Sequence, residues 1–164
     1  MTIVGPGGVP RARSVGIWAP QAERCAPRGA SRVALTEQNL ATVYVCITCR
    51  RASDPDTEPR PGALLADATV HAAQGSGVAV RRVRCLANCA RGPSAAVRAN
   101  GGNTSWTYIF GGLDPTNATA LIDGARLLAG AADGIMPWRG RPEPLKRGLI
   151  ARVPPLDFEE DDQP

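Results

Sequence analysis

The first sustained apolar pattern in the chain is Ala41-Thr-Val-Tyr-Val-Cys46, a β-branched and aromatic run without charge that predicts a buried central strand. A polar loop carrying Pro55, Pro59 and Pro61 follows. Residues 61–73, PGALLADATVHAA, then set Leu64, Leu65, Ala68 and Ala72 at helical spacing behind a proline suited to a first helical turn. Gly75-Ser76-Gly77 ends that helix. Val78-Ala-Val-Arg-Arg-Val-Arg84 predicts the next strand, with an alternation that slips at Arg81 and Arg82, where a bulge is expected. Ser94–Arg98 and Ser105–Phe110, joined by Asn100-Gly-Gly-Asn103, predict a hairpin whose turn residues accept positive φ angles. Asp114 and Pro115 open the strongest helix, with a stripe of Ala118, Leu121, Ile122, Ala125, Leu128, Ala129 and Ala132.

The order strand, helix, strand, hairpin, helix predicts an α/β fold of thioredoxin-like type: a right-handed β-α-β unit, then a β-hairpin and a covering helix. Residues 1–40, rich in Gly, Pro, Ala and Arg without either period, predict a disordered N-terminal leader. The compact domain is expected over 41–134, followed by an extended proline-rich basic arm over 135–156 and an acidic tail over 157–164. With 164 residues there is room for one ordinary domain, and with aromatics at only 4% its core must come from Ala, Val, Leu and Ile. No apolar run approaches the roughly 20 residues of a membrane helix. The N-terminus lacks a secretory apolar region, and Arg11 and Arg13 are not an adjacent pair, so a cytoplasmic location with reduced thiols is expected.

The chemistry is limited by a single histidine. His71 falls near the end of the first helix as a surface residue, so any metal site must be built from cysteine. Cys25 stands alone in the leader. The other four make two tight pairs, Cys46-x2-Cys49 and Cys85-x3-Cys89, separated by thirty-five residues. Both pairs follow parallel neighbouring strands at their C-terminal ends, where open α/β sheets place their sites. Four thiolates there suit an iron-sulfur cluster or a zinc ion, whereas four small buried hydrophobes would have no reason to pair so closely. Cys46-Ile-Thr-Cys49 also has the spacing of a thiol-disulfide oxidoreductase. Against that reading, the prolines delay the helix whose N-terminus would activate the thiol, and the second pair is left without a role.

The net charge of +4 is almost wholly arginine, since Lys146 is the only lysine. Arg50, Arg51, Arg81, Arg82, Arg84 and Arg91 lie within a few residues of the cysteines, where they would favour the reduced form of an anionic cluster or form a docking face for an acidic protein redox partner. The aromatics fall in hairpin core positions instead of alternating with arginines, so no nucleic acid partner is expected, and none at a membrane. Trp106 and Trp138 read as packing residues. No phosphate-cradling loop and no Ser/His/Asp set is present, which points to a binding or carrier protein and not an enzyme. A second copy of the chain is a further candidate partner, as a homodimer.

The run CLANCARGP and the separation of the pairs resemble the thioredoxin-like [2Fe-2S] ferredoxins and the cluster-bearing small subunit of respiratory NADH dehydrogenase. VYVCITCRR, CLANCARGPSAAV, SWTYIFGGLDP and PWRGRPEPLKRGLIARVPP further resemble a bacterial family of uncharacterised metal-binding proteins that tends to be encoded near cobalamin-biosynthesis and metal-chaperone genes. The resemblance spans about residues 41–156. It implies a ferredoxin-like electron-transfer protein with a [2Fe-2S] cluster on Cys46, Cys49, Cys85 and Cys89, one pair to each iron, serving cobalamin biosynthesis or metal handling. The ferredoxins separate their first pair by four or more residues and this chain by two, which keeps a four-cysteine zinc protein open as the alternative. Gly92-Pro93 stands where thioredoxin-like folds often carry a cis proline, with Gly92 admitting backbone close to the sulfurs.

Overall fold

The computed structural model describes residues 39–51, 53–101 and 104–159. Its elements are β1 (Ala41–Cys46), α1 (Pro61–Ala72), β2 (Val78–Val83), β3 (Ala95–Ala99), β4 (Thr107–Phe110), α2 (Ala118–Ala129), α3 (Glu143–Arg147) and β5 (Leu149–Val153). They form one five-stranded sheet in the order β2-β1-β3-β4-β5. β1 and β2 run parallel, joined by the α1 crossover, and β3, β4 and β5 pair antiparallel in succession. A β-α-β unit whose first strand then pairs with a hairpin is the thioredoxin-like arrangement, so the fold class follows the element order.

The pleat explains the core. Ala41, Val43 and Val45 of β1, Ala95 and Val97 of β3, and Tyr108 and Phe110 of β4 are all buried against Leu65 of α1 and Leu121, Ala125 and Leu128 of α2. Small residues dominate, as the scarcity of aromatics requires. Tyr108 and Phe110 stack with ring centroids 6.3 Å apart, and the Tyr108 hydroxyl accepts the Met136 N–H at 2.8 Å.

Three details differ from expectation. β2 pairs with β1 in unbroken register from Ala41↔Val78 to Cys46↔Val83, without the bulge predicted at Arg81 and Arg82. As an edge strand it can leave both arginines exposed, so the slip in alternation needs no extra residue. The irregularity falls instead between Ile109 and Phe110, where β4 meets β5. α2 stops at Ala129, short of Ala132, because Gly130 follows. Asp114 caps a 3₁₀ turn over Pro115–Asn117 that leads into it, accepting the Thr116 N–H at 2.9 Å. The largest departure lies beyond Gly134. The stretch expected as an extended arm over 135–156 supplies α3 and β5, and β5 completes the sheet; Leu145 is fully buried. The predicted leader lies outside the described residues except for Asn39 and Leu40, and of the acidic tail only Asp157–Glu159 are described, all exposed. No described helix is long and apolar enough to cross a membrane.

Candidate metal centre

β1 ends in Cys46, and the chain turns through Ile47 and Thr48 to Cys49. Neighbouring elements hold this turn in place. Cys46 N–H donates to Ser94 O at 3.0 Å, Ile47 N–H to Val83 O at 2.9 Å, and Gly62 N–H to Cys49 O at 3.0 Å. A Cβ added at Gly62 would lie 2.2 Å from the Cys46 carbonyl oxygen and 3.1 Å from Cys49 N, so only glycine lets the start of α1 approach so closely. Gly92 does the same from the other side: its Cβ would stand 3.1 Å from Cys49 Cβ and 3.3 Å from Cys49 Sγ. The Gly92-Pro93 peptide is cis, as expected. The outcome is a pair of neighbouring thiols that are both buried, Cys46 at 0% and Cys49 at 4% exposure.

Their environments push them apart electrostatically. Burial raises the Cys46 thiol, but hydrogen bonds from the Thr48 hydroxyl, the Cys49 thiol and the Thr48 and Leu86 backbone together carry it below an ordinary cysteine. Cys49 goes the other way, pushed up to about 11 by burial and by the anion on Cys46, with Ser94 opposing. The Thr48 hydroxyl is shared, contacting Cys46 Sγ at 3.5 Å and bonding the Arg84 carbonyl. The pair therefore gives up one proton readily and the second only reluctantly.

Cys85 comes two residues after β2, and Cys89 opens a 3₁₀ turn over Cys89–Arg91; both are exposed. Ala87, at φ 55°, turns the loop so that its N–H donates to Cys85 Sγ at 3.2 Å. This loop is tied to the first pair. Cys46 Sγ donates to the Arg84 carbonyl at 3.4 Å, and the Asn88 amide donates to Ser94 Oγ at 2.9 Å while that same hydroxyl accepts from Cys49 Sγ at 3.9 Å. Gly111, after β4, admits the loop: a Cβ there would lie 2.5 Å from Arg91 O and 2.6 Å from Asn88 Nδ2.

Both predicted pairs thus lie on adjacent loops at the C-terminal ends of the two parallel strands. The structure brings Cys46 and Cys49 together and leaves Cys85 and Cys89 facing solvent beside them. Among the described residues, no three His, Cys, Asp or Glu side chains converge closely enough to hold an ion as placed. In kind, the donors fit a thiophilic metal group: four thiols on two contiguous loops, with Gly92 leaving space beside a buried sulfur. Cys25 lies outside the described residues, and His71 is exposed at the end of α1. Thr48, Gly62, Asn88 and Ser94 escaped the sequence reading. Only Gly62 carried a signal, a glycine inside a helical pattern.

The six arginines divide. Arg50 pairs with Asp56 at 3.6 Å, Arg82 pairs with Asp67, and Arg51 donates to Leu113 O at 3.1 Å. Arg81, Arg84 and Arg91 are exposed and form no ion pair among the described residues. Arg84 borders a shallow hollow of about 420 Å³ next to Thr48, shared with Arg60, Arg82 and Glu58.

Among solved structures the chain is similar to a thioredoxin-like [2Fe-2S] ferredoxin from Aquifex aeolicus at 17% identity, with a TM-score of 0.45 over 73% of this chain and 99% of that one. A second structure, of the wild-type thioredoxin-like [2Fe-2S] ferredoxin from the same organism, is similar at 16% identity, with a TM-score of 0.40 over 69% and 98% of the two chains. No curated protein shows significant sequence similarity. Residues 43–155, more than half of the chain, match the family model described as protein of unknown function, DUF1636, and the chain belongs to that family.

Proposed function

We propose that this protein is a metal-binding electron carrier in which Cys46, Cys49, Cys85 and Cys89 hold a [2Fe-2S] cluster. One observation carries the reading: of the buried thiol pair at the end of β1, Cys46 is hydrogen-bonded to Arg84 at the start of the loop that bears the second pair, and Cys49 is linked to Asn88 of that loop through Ser94. A bound cluster would supply reversible one-electron chemistry. The chain's own contribution is electrostatic. Thr48 and the Leu86 N–H favour the Cys46 thiolate, and Arg84 and Arg91 set positive charge beside a centre that becomes more negative on reduction, which raises its potential. The same exposed arginines suit an acidic protein partner. A role in cobalamin biosynthesis or metal handling is the setting that the sequence resemblance implies.

Thiol-disulfide exchange fits less well. The thiol of lowered pKa, Cys46, is sealed from solvent, while an attacking cysteine must be reached by its substrate disulfide. The start of α1 packs on the backbone of the turn, and its Gly62 N–H donates to the Cys49 carbonyl and not to a thiol. The test is anaerobic purification of the full chain. A red-brown protein with about two irons and two sulfides supports the proposal; a colourless protein with one zinc overturns it. Cys85→Ala should abolish the colour and Cys25→Ala should keep it. Loss of colour on replacing Cys25 would refute the ligand set.

A further inference from the structure

The segment PWRGRPEPLKRGL, which the cysteine site does not use, builds a cavity of about 510 Å³ against β5. Arg141 lines it. The residue is only 7% exposed, and its guanidinium lies 5.4 Å from the Tyr108 centroid and 5.3 Å from that of Trp138. Nη2 donates to the Met136 carbonyl, but Nε is sealed from solvent without an acceptor, and no described carboxylate pairs with the charge. A buried cation normally has a counter-charge, since desolvation without one is costly.

The rest of the lining adds to the case. Arg152 brings a second cation, stacked over Trp106 at 5.1 Å and in no described ion pair. Asp133, whose Oδ1 accepts the Ile135 N–H at 3.0 Å, is the one acid of the lining against two arginines, so the cavity keeps a net positive charge. Trp138 is 64% exposed, with Arg141 and the Lys146 ammonium over its ring at 5.3 and 5.6 Å; the uncovered part of the indole lines the cavity beside Leu149.

We propose that this cavity binds a small molecule carrying an oxyanion, carboxylate or phosphate, with Arg141 and Arg152 taking the charge and Trp138 covering a flat apolar part. The site is separate from the cysteine loops and does not depend on a metal.

The test is calorimetric titration of the full chain, at low salt and neutral pH, with benzoate, phenyl phosphate and inorganic phosphate. The expected result is saturable one-to-one binding of at least one phenyl-bearing probe. Benzoate against phenyl phosphate separates carboxylate from phosphate. Trp138→Ala should weaken the phenyl probe by about three- to tenfold and inorganic phosphate hardly at all. Arg141→Gln should weaken binding by about tenfold or more, and Arg141→Lys should restore only part of it. Because Arg141 is packed inside the fold, Arg152→Gln is the companion variant; its side chain is exposed, so it should lower affinity several-fold with an unchanged melting temperature. Absence of binding by every probe up to about 10 mM overturns the proposal, as does equal affinity in the native, R141Q and R152Q proteins.

Discussion

Gly62→Ala is the sharpest test of how the fold holds the first cysteine turn. The added methyl would sit 2.2 Å from the Cys46 carbonyl oxygen, with two backbone atoms of Cys49 at 3.1 Å. None of these is the end of a flexible side chain, so relief requires α1 or the β1 turn to move by about 1 Å, at the upper end of the ~1–3 kcal/mol typical of overpacking. Unfolding entropy of about 2.1 cal/mol/K per residue over roughly 120 ordered residues makes each kcal/mol worth about 4 °C, so the melting temperature should fall by about 10–12 °C. Gly75→Ala is the control. Gly75, unlike Gly62, lies at positive φ, +70°, but has nothing within 4 Å, so it should cost only the ~1 kcal/mol of a left-handed alanine, about 4 °C. Circular dichroism melts of metal-free protein read both. If G62A melts within about 2 °C of the native chain, or above G75A, the close approach of α1 to the cysteine turn is not a constraint and the argument fails.

Three further outcomes follow. In metal-free C25S/C85S/C89S protein, the ultraviolet absorbance of thiolate should rise in two steps, the first below the range of free cysteine and the second at about 11; because the folded state holds that second proton more tightly than the unfolded chain does, stability should fall as pH climbs from the free-cysteine value toward 11, and a single step at the free value would contradict it. Tyr108→Phe leaves the buried Met136 N–H without its acceptor and should cost about 1–3 kcal/mol in chemical denaturation, with a loss under 0.5 kcal/mol counting against that bond. A chain ending at Gly148 loses β5, bares the β4 edge and should aggregate or melt far earlier; one that remains monomeric with native stability would show that β5 is dispensable.

What the sequence could disclose was local. β1 was legible because six uncharged, mostly β-branched or apolar residues leave no alternative, and α2 because its stripe holds for three turns. The cysteine pairs could be placed because parallel strands end where their loops begin. β5 was not, since Leu-Ile-Ala-Arg-Val is short, lacks clean alternation and sits among prolines; only the free edge of β4, an object of the tertiary fold, makes it a strand. The burial of Arg141 was equally hidden, because nothing local distinguishes an arginine buried beside two rings from one on the surface.

The two borders of the sheet have a consequence for how this protein meets others. One border, β2, carries the exposed Arg81 and Arg82, and the other, β5, carries Arg152 and runs into Pro154 and Pro155. The strand of a second copy laid along its own kind of border would meet arginines like its own or a chain without the N–H groups needed to continue the ladder. Among the described residues the sheet is therefore finished at five strands. Self-association by ladder extension, the ordinary route to fibrils, is discouraged at both ends, and assembly is directed to the loops and the faces.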